Sequence, residues 1–248
     1  MKNKCRGCAP AHPVKKTAHP VKAVFTKQAK DMFKNPIALL PFIIFPVVAL
    51  IMTELVAKGN DDIDNNLFVA MMASIFAGFG LLQSAAAIIS EDMEKKSLRY
   101  LVMAGVKPHQ YLLGIGGFLF AAATIVSAIF GFIGGYSGME LLKFLTIMLT
   151  GVAAAIVFGL SIGMLSKNQQ AAAAMSMPAA VIIGFTPMIA GFNETVEKFA
   201  GVLYTQQISI IVNDFSANIT KPLMVIAANI VVFAVLFVVA YKKKGLTS

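Results

Sequence analysis

Leu67–Ser90 reads LFVAMMASIFAGFGLLQSAAAIIS, 24 residues without a charged side chain, and Glu91–Arg99 follows at once as EDMEKKSLR. A helix of that length spans about 36 Å, enough to cross a hydrocarbon core of about 30 Å. The rest of the chain has the same character. Of its 248 residues 58% are hydrophobic and 13% are charged, about half the charged share of a soluble domain. Mean hydropathy is +0.77. A water-soluble fold could not hide that much apolar surface.

Five further apolar runs of spanning length flank this one. The predicted spans are Ile37–Val56, Leu67–Ser90, Tyr111–Gly134, Phe144–Ser166, Ala171–Phe192 and Leu223–Tyr241. Pro41 and Pro46 in the first and Pro178 and Pro187 in the fifth are read as bends, because membrane helices tolerate proline where neighbours satisfy the freed carbonyls. The fold class expected is an all-α integral membrane protein with six transmembrane helices, residues 21–248 forming one unit behind a basic tail, residues 1–20.

The net charge of +9 belongs to this topology and not to nucleic acid. With six spans, 17 of the 21 Lys and Arg fall on one side and 4 (Lys58, Lys143, Lys198 and Lys221) on the other. Basic residues collect on the cytoplasmic side, so both termini are expected there.

Two segments are helical without spanning. In Val21–Lys34, Val21, Phe25, Ala29, Met32 and Phe33 share a face opposite Lys22, Lys27, Lys30 and Lys34, the pattern of an interfacial helix. Asn193–Pro222 is too long for a plain loop. Its apolar residues, Val196, Phe199, Ala200 and Leu203, then Ile208, Ile210, Ile211 and Phe215, suggest an external broken helical hairpin.

No Asp, Glu, Lys, Arg or His sits in the interior of a predicted span, Glu54 lying at the outer end of the first, which argues against ion-coupled transport. Gly135-Tyr136-Ser137-Gly138 matches the GxSG of intramembrane serine proteases, but a base is required within reach. The only His beyond the tail is His109, predicted on the opposite side, so no catalytic residue is assigned. Gly131 with Gly135 and Gly159 with Gly163 are GxxxG pairs suited to close helix packing. No GxxxxGK[ST] loop is present in the sequence, so ATP cannot be bound by that device.

The charged stretch after the second span is predicted to be a short cytoplasmic helix. Ser90 would cap it, Glu91, Asp92 and Glu94 would sit at its positive end, Lys95, Lys96 and Arg99 would follow, and Gly105 and Pro108 would close it. The acids would face outward together.

This stretch, with Ser97-Leu98, Pro108 and Leu112-Leu113-Gly114, resembles the permeases of the ABC type-2 exporters. Lys96 and Ile115 depart from the pattern, standing where Gly and Lys are usual. The resemblance extends to the interfacial helix, the six spans, the Ser166–Gln170 turn and the broken hairpin. It implies a non-enzymatic permease in a bacterial plasma membrane. It implies a coupling helix (Glu91, Asp92, Glu94, Lys95, Lys96, Ser97, Leu98 and Leu101) that docks on a separate cytosolic ATPase carrying ATP and Mg. A second permease, copy or paralogue, would complete a 2+2 assembly. With 0 Trp, 19 Phe and 14 Met, a hydrophobic or amphipathic peptide is the expected cargo, as in exporters of phenol-soluble modulins. A lipid or drug exporter, or a non-transporting scaffold or immunity protein that binds a hydrophobic peptide, is the alternative. In the tail, Cys5, Cys8, His12 and His19 approximate a Cys2His2 zinc spacing, with a last gap longer than usual.

Overall fold

The computed structural model describes residues 20–34, 36–57, 59, 65–95 and 108–245. Among them there is helix and turn but no strand. The helices are α1 (Pro20–Lys34), α2 (Pro36–Met52), α3 (Asn65–Ile75), α4 (Leu81–Glu94), α5 (Pro108–Ile133), α6 (Gly138–Leu165), α7 (Gln169–Ala190), α8 (Glu194–Ala200), α9 (Tyr204–Asn213) and α10 (Thr220–Gly245). Two π-helical segments, Thr53–Ala57 and Phe76–Gly80, extend α2 and join α3 to α4.

Six stretches are long and apolar enough to span: Leu39–Ala57, Asn66–Glu94, Gln110–Ile133, Gly138–Leu165, Gln169–Ala190 and Thr220–Ala240. They fall where hydropathy places them, with two informative differences. The fourth begins at Gly138 instead of Phe144. Gly135 and Gly138 have φ of +67° and +55°, a left-handed backbone that glycine adopts without steric cost. The turn is therefore tight, and the amphiphilic stretch Met139–Lys143 is wound into the helix. The second span runs on through Glu91–Glu94 without a break, and Ser90 donates to the Ala87 carbonyl within that helix.

The second and fourth spans form the centre, 67% and 61% buried, against 17% for the sixth. Small residues set their spacing. A Cβ on Gly159 would lie 2.5 Å from the Leu82 carbonyl oxygen, and one on Gly163 would lie 2.2 Å from Ile89 Cγ2. Gly131 is likewise closed off by Leu141 at 2.8 Å, but Gly135 faces open space. Gly135 is a turn residue and not the helix-packing residue its GxxxG spacing suggests. The sixth span lies along the fourth, where Phe158 and Phe233 stack at 4.3 Å.

The bundle has two distinct ends. One holds α1, the Glu91–Lys95 segment and the Ser166–Asn168 turn; the other holds the α8–α9 hairpin. The hairpin is a pair of short helices, and its halves differ. α8 is largely exposed, with Phe199 77% accessible, while α9 packs into the bundle through Tyr204, Ile208, Ile211 and Val212.

Candidate functional site

The acidic cluster is the only concentration of carboxylates beside a span end among the described residues that also engages other elements. Because α4 continues to Glu94, the cluster occupies the C-terminal turn of a spanning helix and not the positive N-terminus of a separate one. That corrects the expected placement. It also changes the electrostatics, because carboxylates are disfavoured at the negative end of a helix. Each acid is compensated, and each differently.

Asp92 is 5% exposed. Its Oδ1 accepts from Lys27 Nζ at 2.5 Å, and its Oδ2 accepts from Gln28 Nε2 and from the Tyr111 hydroxyl, each at 2.7 Å. A carboxylate with three donors is well satisfied despite burial. The side chain thus faces inward, not out with its neighbours, and ties α1, α4 and α5 together. Glu91 pairs with Lys95, one turn on in sequence, and this carboxylate raises the Lys95 pKa above its ordinary value. Glu94 Oε2 accepts from the Gln169 amide at 3.0 Å. It therefore sits at the positive end of α7, whose N-cap Asn168 accepts from the Ala171 amide at 2.8 Å.

α1 is docked by the same contacts. Its buried stripe is Val24, Gln28 and Met32, with Val21 and Ala29 partly covered. Phe25 and Phe33 are 36% and 77% exposed. The apolar face read from the sequence is therefore divided: part packs on α5, and part remains open. Val24 fills the space over Gly114, where a Cβ would lie 2.6 Å from Val24 Cβ, and Phe25 meets Phe118 edge-on at 5.6 Å. Gln28, a polar residue between Val24 and Met32 on the buried stripe, carries α1 to Asp92.

Of the remaining predicted site residues, Lys96, Ser97, Leu98 and Leu101 of the coupling segment and Cys5, Cys8, His12 and His19 of the tail lie outside the described residues. Asn193 and Asn218, which flank the hairpin, both make local bonds. Asn193 Oδ1 accepts from the Thr195 and Val196 amides, and Asn218 Oδ1 from the Thr220 amide. Asn193 is the N-cap of α8, and Asn218 bonds the first residue of α10.

Six apolar helices of spanning length, closely packed through glycines around a buried second and fourth, define a polytopic α-helical membrane protein. Residues 19–194 match the membrane domain described as ABC-2 type transporter, well over half of the chain. The chain belongs to that family and is a permease component of an ABC transporter, which implies an ATPase partner. No curated protein matches it.

Proposed function

We propose that this permease works as an exporter subunit, with both termini in the cytoplasm and the Glu91–Leu101 segment as the coupling element that meets the ATPase. The observation that carries the reading is the threefold anchoring of Asp92 at the base of that segment. A force applied just beyond Glu94 is delivered through one buried carboxylate to the second span, the third span and α1 together. Through Glu94 and Gln169 it also reaches the start of the fifth span. Glu91, Glu94 and Lys95 are the described charges left to face a partner; Asp92 acts through position instead. The positive-inside distribution supports the orientation.

The cargo proposed is a hydrophobic or amphipathic peptide, and the pathway is completed by a second permease. The fifth span exposes Met175, Met177, Phe185 and Met188, and methionine surfaces adapt to varied apolar shapes.

Affinity purification of the tagged chain from its native membrane, followed by mass spectrometry, tests the proposal. An ATPase carrying a GxxxxGK[ST] loop should co-purify. Glu91→Lys with Glu94→Lys should lower its recovery about tenfold, the effect of charge pairs lost across an interface, with insertion unchanged. Equal recovery and equally coupled ATP hydrolysis in the double variant would remove this segment from the mechanism.

A further inference from the structure

The start of α9 is polar yet buried: Tyr204, Thr205, Gln206, Gln207 and Ser209 are all at most 7% exposed. Two of these side chains reach out of the hairpin to backbone carbonyls of other helices. The Tyr204 hydroxyl donates to the Ala77 carbonyl at 3.2 Å, and Thr205 Oγ1 donates to the Ile183 carbonyl at 2.6 Å. Neither acceptor would be free in a regular α-helix. Pro187 has no amide hydrogen, so Ile183, four residues earlier, lacks its helical donor. In the π-helical segment the Leu81 amide reaches back five residues to the Phe76 carbonyl. The Ala77 carbonyl thereby loses the amide that would serve it in an α-helix. In a bilayer such carbonyls need a protein donor, and α9 supplies both.

The two irregular sites also touch. A Cβ on Gly78 would lie 2.5 Å from Gly184 Cα and 2.8 Å from Thr205 Cγ2. The π segment of the second span, the proline bend of the fifth and the first turn of α9 therefore meet at one point.

We propose that Tyr204 and Thr205 are positioning residues that clasp the second and fifth spans together. Separation of these spans at the Gly78–Gly184 contact then requires at least one hydroxyl to release its carbonyl, and withdrawal of α9 requires both to do so. What that separation serves rests on the permease reading; the clasp itself does not. Because the donors sit on a short helix rather than on either span, the hairpin can withdraw without breaking any hydrogen bond within the two spans.

The test uses the full chain in detergent, with Cys5→Ser and Cys8→Ser as background and Ser209→Cys as a buried reporter on α9. The rate of modification by a water-soluble maleimide measures how often α9 leaves the bundle. Thr205→Val should raise the rate about threefold and Tyr204→Phe with Thr205→Val about tenfold, in keeping with hydrogen bonds of about 0.6–1.7 kcal/mol between membrane helices. Thr205→Ser should stay near the parental rate. Valine keeps the shape and loses the donor; serine does the reverse, so packing alone predicts the opposite order. A parental rate in Thr205→Val, or serine labelling as fast as valine, overturns the clasp. Val212→Cys, also on α9 and 0% exposed, is the second reporter should Ser209→Cys fail to fold. No ATPase takes part in the assay, so failure to find one would leave this result intact.

Discussion

The two ends of the bundle are held by opposite means. At the α1 end three donors converge on the single carboxylate of Asp92. At the hairpin end five side chains reach separate backbone carbonyls: Lys143 that of Phe215, Tyr204 that of Ala77, Thr205 that of Ile183, Gln207 that of Gly201 and Asn229 those of Val202 and, within α10, Val225. Bonds to a charged group are about twice as strong as neutral ones; at the hairpin end only the Lys143 bond is of that kind, whereas all three at Asp92 are, and they share an acceptor, so they stand or fall together. The carbonyl bonds are independent and can be given up one at a time. The α1 end is suited to transmitting a force as a unit, and the hairpin end to opening in steps.

Removing the shared acceptor should have the largest effect. Asp92→Ala leaves Gln28 and Tyr111 with buried donors and Lys27, one-third exposed, free to turn to solvent. A loss of about 3 kcal/mol is expected in reversible unfolding of the purified chain, with α1 protected least in hydrogen exchange. If Asp92→Ala cost no more than a hairpin variant, the contrast between the two ends would collapse.

Next comes Gly184→Ala. Its Cβ would lie 2.9 Å from Phe79 Cβ and 3.0 Å from the Phe79 backbone nitrogen, so the spans must shift. Overpacking of this kind costs about 1–3 kcal/mol. The variant sharpens the comparison because it forces the hairpin end apart by volume while leaving all of these carbonyl bonds chemically possible.

Asn229→Ala removes the donor to the Val202 carbonyl, 2.8 Å away. A loss of about 0.6 kcal/mol is expected, the average for a membrane hydrogen bond, measured in the same unfolding assay. A cost near that of Asp92→Ala would mean that the hairpin bonds are cooperative instead of independent.

The smallest effect is electrostatic. The Ser216 hydroxyl, then the Ser216 amide, donates to Asp214 and holds its pKa below the ordinary carboxylate value. A depressed carboxylate contributes above its unfolded value and loses that contribution as pH falls through the lowered folded one. The turn after α9 should therefore keep its Ser216 amide protected near neutrality and lose protection in acid. Asp214→Asn should flatten the profile, read by pH-dependent amide exchange. The α1 end should not follow the Asp214→Asn change.

Much of this arrangement was legible without coordinates. The six spans, the helical α1, the two-part hairpin and the closely packed Gly159 and Gly163 follow from run length, period and residue size, all local properties. The candidate site was legible only in part. The acidic cluster stood out, but its division into a buried hub and two surface carboxylates did not. Asp92 is separated from Lys27 by 65 residues and from Gln28 by 64, and no local pattern joins them.

The sequence by itself determined which segments leave water, because hydropathy over about 20 residues outweighs any single side chain. It also fixed which carbonyl Pro187 would strip of its donor, since that follows from the proline ring alone. The tertiary structure decided what replaces that donor, which face of α1 is covered, and that α4 runs past Ser90 so that its acids fall at a negative helix end. Each of these depends on a partner distant in the chain. A buried polar group must find some partner, but which one it finds is set by how the helices pack.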